Sequence, residues 1–202
     1  MIQAQEIQDL ARSGADSVYG YIAHTAEVVP EGVRWQTLSY ENKPQYSFTI
    51  FNGVAGIGLF LADYARLTGI QKARELALGG VRWCSLPEHQ GYTRGLCIGK
   101  AGVGMAWLHL SRSTGDPSLL THCAVHAKRI MTEDPGPVTD ILGGAAGNGL
   151  FLLRLWEASG QEEYLRGALR NGAWLRDQAV RDGSGCYWPM VVSDAKPWYA
   201  LG

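Results

Sequence analysis

The chain has 202 residues, of which 46% are hydrophobic and 18% are charged, and its formal net charge is −1. A chain this apolar can bury enough surface to fold, which excludes intrinsic disorder, and its length suits a single domain. The near-zero charge removes the electrostatic basis for binding nucleic acid or an anionic membrane. No apolar run approaches the roughly 20 residues needed to cross a bilayer. Glycine is the unusual component, with 26 residues, about twice the ordinary share.

Residues 1–44 are predicted to form an N-terminal helix and a lead-in to a repeat array. Ile7, Leu10, Ala11 and Tyr19 have the spacing of one face of an amphipathic helix. The first residues lack the basic and apolar regions of a signal peptide. Four cysteines without a Cys-x-x-Cys pair indicate reduced thiols. A cytoplasmic location is therefore expected.

Three segments carry the same glycine frame, Gly-x-Ala-Gly-x-Gly, with their first glycines about 45 residues apart. These first glycines are Gly53, Gly99 and Gly144, and each frame is followed eleven residues after its last glycine by another glycine. A fixed period of this length is the signature of a repeat protein. We therefore predict a single domain over residues 1–202, in which residues 45–202 hold three repeats and a link to a missing fourth.

Each repeat is predicted to contain two helices. The first begins at the glycine frame, is apolar on most sides and is therefore buried all round. It ends at a glycine suited to a left-handed C-cap. The second helix is amphipathic. Its predicted inward positions are Leu120, Cys123, Ala124, Ala127 and Ile130 in the second repeat, and Leu165, Ala168, Leu169 and Trp174 in the third.

An apolar inner helix paired with an amphipathic outer helix predicts an all-α fold of stacked helical hairpins. The array could be an open solenoid or a closed α/α toroid, and fully apolar inner helices favour the toroid, here a partial barrel. Outside the frames, Gly32-Val33-Arg34-Trp35 has an echo in Gly185-Cys186-Tyr187-Trp188. If the echo holds, a fourth frame would begin near position 206, so the toroid is expected to be incomplete.

The frame at residues 51–61, repeated about every 45 residues, resembles the lanthionine synthetase C-like family. Residues 139–147 are similar to that family's third repeat, and residues 187–190 to the link into its fourth. The resemblance covers roughly residues 45–202 and implies a toroid of seven inner and seven outer helices. Cyclases of the family add a peptide cysteine thiol across dehydroalanine or dehydrobutyrine, which closes a thioether (lanthionine) ring.

The resemblance also implies a zinc site, whose ligands are a Cys in one late repeat and a Cys-His pair in the next. This chain has no Cys-His dipeptide. We therefore expect no metal ligands in it, and zinc only if later repeats are supplied. Cys97 stands in the register of the zinc cysteines, but Phe51 and Leu142 hold the equivalent positions, which indicates apolar packing. His122 and His126 are four residues apart on a helix but lack a third ligand.

Asp140 is the candidate catalytic residue. Its equivalent positions, four residues before each frame, hold Thr49 and Gly95, so the repeat itself does not demand a carboxylate. The resemblance implies acid–base or orienting work for this aspartate, near the mouth of the toroid. The alternative is an aspartate that caps a helix or closes a turn. The two roles are compatible.

Four further residues are predicted to bind substrate. Lys100 and Asn148 are polar residues inside the glycine frames and could reach a peptide carbonyl or carboxylate at the mouth, with solvent exposure as the alternative. Trp188 and Trp198 belong to a proline-containing aromatic loop. That loop could contact a peptide or form an interface, and packing is the alternative.

Three functions are compatible with these patterns. The first is a lanthionine cyclase-like protein, or the N-terminal part of one, that binds a dehydrated precursor peptide. The second is a non-catalytic peptide-binding or assembly module. The third is an unrelated α/α-toroid enzyme, although no close carboxylate pair supports it. Expected partners are the precursor peptide, a second chain or copy that covers the open toroid face, and a dehydratase, with no nucleic acid and no membrane.

Overall fold

A computed structural model describes residues 4–39, 41–91, 94–183 and 185–192. Within these ranges the chain folds into seven α-helices and three short β-hairpins, and no helix is long and apolar enough to cross a membrane. The helices are α1 (Ala4–His24), α2 (Val54–Thr68), α3 (Gln71–Cys84), α4 (Lys100–Thr114), α5 (Leu120–Thr132), α6 (Ala145–Ser159) and α7 (Glu162–Gln178). The strands are β1 (Glu27–Val29), β2 (Gly32–Arg34), β3 (Thr37–Leu38), β4 (Pro44–Gln45), β5 (Val180–Asp182) and β6 (Gly185–Tyr187).

The inner helices α2, α4 and α6 begin and end at the predicted glycines. Each has 15 residues and follows an extended N-cap glycine, which is Gly53, Gly99 or Gly144. Each ends at a left-handed glycine, with φ of 74° at Gly69 and 68° at Gly115 and Gly160. Glycine adopts this conformation without the steric cost that a Cβ would bring.

The middle glycine of each frame allows the chain to fold tightly onto the start of its inner helix. A Cβ added to Gly56, Gly102 or Gly147 would lie 2.3, 2.2 or 2.2 Å from the carbonyl oxygen of the residue six positions earlier. No side chain fits in that space. The repeated glycine frame is therefore required by one local turn that occurs three times.

The helices form two layers. Each inner helix packs against the next inner helix along the chain and against the outer helix of its own repeat, which is α3, α5 or α7. Because the inner helices have neighbours on several sides, their apolar side chains form the core. Fully buried examples are Leu61, Val103, Leu108, Phe151, Leu152 and Leu155. This arrangement confirms the predicted all-α fold, with the inner and outer helices of a partial toroid.

Among the predicted inward positions of the outer helices, Leu169 is wrong. Leu169 of α7 is 62% exposed, although its neighbours in sequence include buried residues. The buried residues of this helix are Tyr164, Gly167 and Asn171. With a period of 3.6 residues, Leu169 lies almost opposite that face. The apolar spacing of α7 therefore predicted the wrong face for Leu169.

The sequence echo outside the frames corresponds to two matching β-hairpins. Strands β1 and β2 pair antiparallel, as do β5 and β6. The second strand of each hairpin opens with a glycine of nearly identical backbone conformation, with φ of +152° at Gly32 and +151° at Gly185. These short strands are additions to the helical array, and the sequence patterns did not predict them.

The tryptophan that follows each hairpin makes the same hydrogen bond. Trp35 Nε1 donates to Ile22 O at 2.8 Å, and Trp188 Nε1 donates to Leu175 O at 2.7 Å. Each acceptor lies thirteen residues earlier, near the end of a helix. Helix α1 therefore has the same relation to its hairpin as the outer helix α7 has, and it takes the place of an outer helix ahead of the first repeat.

Candidate functional site

Three loops lead into the inner helices and lie side by side at one edge of the array. They are residues 47–53, 94–99 and 138–144, which we call the rim loops. Phe51 N in the first loop donates to Cys97 O in the second at 3.0 Å, and Cys97 N donates to Leu142 O in the third at 2.9 Å. The backbone thus forms a ladder from repeat to repeat, and it places the N-terminal ends of α2, α4 and α6 together at this edge.

The second and third rim loops are the most closely joined pair. Besides the Cys97 bond, Leu96 N donates to Ile141 O at 3.1 Å and Ile98 N donates to Leu142 O at 3.2 Å. The third loop is joined in turn to the segment after β6, because its Thr139 N donates to Met190 O at 3.0 Å. These bonds fix the backbone on both sides of the third rim loop.

Asp140 lies in the third rim loop and is half-buried. Its Oδ1 accepts a hydrogen bond of 2.8 Å from Gly143 N. The equivalent Thr49 of the first repeat makes a related contact, because its Oγ1 accepts from Asn52 N at 3.4 Å. The position therefore closes a turn in both repeats, as the alternative to catalysis had predicted. An acid–base role for Asp140 stays a prediction.

Cys97 lies beside this carboxylate and is half-buried. Burial raises the pKa of the Cys97 thiol, and the negative charge of Asp140 raises it further. A thiol with a raised pKa stays protonated at neutral pH and is a poor nucleophile or metal ligand. The raised pKa agrees with the interpretation of Cys97 as a packing residue. The apolar packing expected at the equivalent positions is wrong, however, because Phe51 and Leu142 are exposed.

Asn148 lies in the first turn of α6 and is only 1% exposed. Its Oδ1 accepts a hydrogen bond of 2.8 Å from Gly95 N in the second rim loop. Its Nδ2 has no partner among the residues that the structure describes. Solvent exposure is therefore the wrong explanation for this polar residue, because the side chain is used inside the protein to join two repeats. Direct contact between Asn148 and a substrate stays a prediction.

Lys100 is directed toward the end of the outer helix α5. Its Nζ lies 3.5 Å from Glu133 Oε1, and Arg94 Nε lies 2.7 Å from the other oxygen of the same carboxylate. The Lys100 side chain is only 11% exposed, and with His89 and His126 it lines a cavity of about 10 Å³, roughly the space of one water molecule. Solvent exposure therefore does not explain why Lys100 is polar. Contact between Lys100 and a substrate stays a prediction.

Of the two tryptophan candidates, Trp188 lies among the described residues. Trp188 packs at the C-terminal end of α7, where its only polar atom already donates to Leu175 O. Trp198 lies outside the described residues. The structure therefore brings Asp140 and Asn148 to the same pair of rim loops, whereas the polar atoms of Lys100 and Trp188 contact Glu133 and Leu175.

Exposed apolar side chains on the rim loops are a feature that the sequence reasoning missed. Phe51, Ile98 and Leu142 are exposed although they belong to loops whose backbones are held firmly. Beside the first rim loop, Leu38, Phe51 and Ile57 help to line a groove of about 380 Å³. A comparison of equivalent positions could not have found this, because Phe51 and Leu142 stand two residues before their frames and Ile98 stands one residue before its frame. Such a rim can contact apolar parts of a peptide.

A buried polar cluster next to the Lys100 cavity was also missed. His126 is 4% exposed, and its Nε2 lies 3.4 Å from Ser85 Oγ, which also accepts a 2.8 Å hydrogen bond from Trp107 Nε1. Desolvation by burial, with smaller effects from neighbouring cations, lowers the pKa of His126 to about 4. His122 stacks on Trp107 with ring centroids 4.1 Å apart. Each of the two histidines therefore has a structural contact of its own.

The described residues do not fit a zinc centre. Among them, no group of three His, Cys, Asp or Glu side chains is placed so that it could hold a metal ion. The four cysteines are unpaired, and burial raises the pKa of Cys123 to about 12 and that of Cys84 still further. Thiols in such surroundings are poor sources of the thiolate that zinc requires.

Comparison with known families gives one match. The model of the family described as "Lanthionine synthetase C-like protein" matches residues 44–181, which is more than half of the chain. The matched range contains all three glycine frames, their inner and outer helices, and the three rim loops. No curated protein matches the chain.

Proposed function

Because the chain belongs to the lanthionine synthetase C-like family, we propose that it binds a dehydrated precursor peptide and takes part in forming its thioether rings. One observation carries this proposal. The half-buried carboxylate of Asp140 lies on a rim whose neighbouring side chains, Ile98 and Leu142, are apolar and exposed. A peptide can thus find apolar contacts beside a group able to exchange a proton. Family membership also removes the unrelated toroid enzyme as an explanation.

The reaction needs a proton at a defined place. The peptide thiol loses its proton and its sulfur bonds to the β-carbon of dehydroalanine or dehydrobutyrine. The electron pair of the carbon–carbon double bond then moves into an enolate, which takes up a proton at the α-carbon. One proton is lost and one is gained, so no further reactant is consumed. An acid–base side chain at the rim would handle these transfers.

Asp140 is the residue we propose for this work. Its Oδ1 is held by Gly143 N, which fixes the plane of the carboxyl group. No described residue donates a hydrogen bond to Oδ2, so this second oxygen is the one that would carry the proton. A carboxyl group that is oriented through one oxygen and reactive through the other combines the turn role and the catalytic role.

We expect Asp140→Asn to slow thioether formation at least a hundredfold in an assembly that contains the later repeats and zinc. The amide oxygen can still accept from Gly143 N, but the side chain can no longer carry a proton. Rates are measured by mass spectrometry of the peptide after alkylation of its remaining thiols. Asp116→Asn is the matched control, because Asp116 also accepts a backbone N–H, that of Ser118, but lies away from the rim. Equal rates for Asp140→Asn and the parent protein would contradict the role.

In this proposal, repeats other than the three described here would bind the zinc. The described residues do not form its ligand set, so no step above depends on a metal held by them. The same fact favours a second candidate function, that of a peptide-binding or assembly module without chemistry of its own. Binding of the dehydrated peptide with no thioether product in the complete zinc-loaded assembly would favour this second function.

We also propose that a further helical hairpin, supplied by later repeats or by a second copy, covers the face around α7. The internal repeat supplies the reason. Trp35 is 3% exposed because α3 packs on it at Gly80, whereas the equivalent Trp188 is 37% exposed. A helical hairpin covers Trp35, so we expect a helical hairpin to cover Trp188 as well. The peptide and the dehydratase that supplies its dehydroamino acids are the other proposed partners.

A partner on this face is expected to change the mass in solution. Size-exclusion chromatography with light scattering should show a species heavier than 22.0 kDa at micromolar concentration, with a second copy or with the added chain. Trp188→Glu should reduce this association at least tenfold by placing a charge in the apolar contact. Val125→Glu is the control, because Val125 is exposed on the middle repeat. A monomer that does not bind later repeats would contradict the proposal.

A further inference from the structure

Asn148 is a fully buried polar residue in the first turn of the helix that follows the proposed catalytic carboxylate, and its role is not explained by packing alone. An amide buried to 99% loses its contacts with water, which is costly unless hydrogen bonds replace them. The one bond that the structure gives it runs to Gly95 N, a backbone group 53 residues away. The side chain therefore serves the second rim loop, although it belongs to the third repeat.

Gly95 in turn presses against the third rim loop. Its φ of +92° is a left-handed conformation that favours glycine. A Cβ added to Gly95 would lie 2.4 Å from Gly143 Cα and 2.6 Å from Leu142 O. The backbones of the two loops are thus in direct contact at this point, so the position of Gly95 limits the position of Gly143.

Gly143 is also the residue whose N–H holds Asp140 Oδ1. A continuous set of contacts therefore leads from Asn148 Oδ1 to Gly95, from Gly95 to Gly143, and from Gly143 to the carboxylate. We propose that Asn148 is a positioning residue that fixes the orientation of the Asp140 carboxyl group by clamping the second rim loop onto the third. This inference rests on the proposed function for its catalytic meaning.

The proposal is tested first by NMR on the chain itself, which needs no activity. Asn148→Leu keeps a similar volume but removes the acceptor of Gly95. We expect amide hydrogen exchange at Gly95 to become about tenfold faster, in line with the loss of one hydrogen bond. We also expect the Gly143 amide resonance to shift, and its pH response, which reports the bonded Asp140 carboxyl group, to shrink.

The matched control is Asn171→Leu. Asn171 is equally buried, but it lies on the outer helix α7, and its Nδ2 donates within that helix, to Gly167 O. This variant should leave the Gly95 and Gly143 amides unchanged even if it lowers stability. If Asn148→Leu does not fold, Asn148→Ala is used instead. It removes the same acceptor and places no methyl group where the amide lay.

The second readout is kinetic. In the complete assembly, Asn148→Leu should lower kcat for thioether formation about tenfold and leave KM within twofold of the parent. An unchanged Gly143 resonance and pH response, together with faster exchange at Gly95, would overturn the positioning role. If the parent assembly forms no thioether, the proposed function fails while the NMR result still decides the clamp. The two failures are therefore distinguishable.

Discussion

Replacing Gly147 by alanine is expected to lower the free energy of unfolding by about 3–5 kcal/mol, among the largest effects of a single substitution. The added Cβ would lie 2.2 Å from Ile141 O and 2.6 Å from Leu96 N. Both are backbone atoms, one in the third rim loop and one in the second, so neither can move without breaking the ladder between them. Urea denaturation followed by circular dichroism measures the loss.

Gly172→Ala is the control for this experiment. Gly172 also lies in a helix, α7, but nothing stands within 4 Å of a Cβ added there. Alanine should therefore stabilise the protein at this position, by about 0.5–1 kcal/mol, because it loses less backbone entropy on folding. If Gly147→Ala also stabilised the protein, the close approach of the rim loops would be contradicted.

Acidification from pH 7 to pH 4 is expected to remove about 3 kcal/mol of stability through His126 alone. Its pKa is about 4 in the folded protein and 6.5 in the reference state. The folded state thus favours the neutral ring, whereas the unfolded chain takes up a proton below pH 6.5. The stabilisation is present above pH 6.5 and is lost progressively as the pH falls toward 4. Burial is the main cause, with Arg129, His122 and Lys100 adding repulsion.

The measurement is a series of urea denaturation curves between pH 7 and pH 4. His126→Gln should flatten the dependence of stability on pH in this range, because its amide stays neutral and can still hydrogen-bond to Ser85. His24→Gln is the control, since His24 is exposed at the end of α1. A His126→Gln protein with the same pH dependence as the parent would show that this imidazole is not the group responsible.

Both predictions concern the support of the candidate site. Gly147 lies between Asp140 and Asn148 in the chain, so a side chain at this position would disturb the loop that carries the carboxylate. His126 lies one layer further out, where it shares the small cavity with Lys100. The rim thus depends on glycines that let backbones approach and on buried polar groups that hold the outer layer beneath it.

Much of the fold could be predicted because its signals are local. A glycine before each inner helix and a left-handed glycine after it are demanded by the backbone of that turn, whatever lies around it. The match between predicted and observed boundaries at Gly53, Gly99 and Gly144 follows from this. The turn contact of Asp140 was likewise available, because aspartate three residues before an N–H donor is a local pattern.

Within the candidate site, the sequence alone determined the family and the three repeats, and it predicted Asp140 as the catalytic candidate. The tertiary structure alone decided where the polar residues of the frames point. Asn148 and Lys100 stand at helix starts that could face water or a neighbour, and only the contacts with Gly95 and Glu133 show that both are turned inward. The exposure of Leu169 and Trp188 was decided in the same way. Periodicity reports which face of an element is apolar, but burial depends on which other element comes to rest against that face.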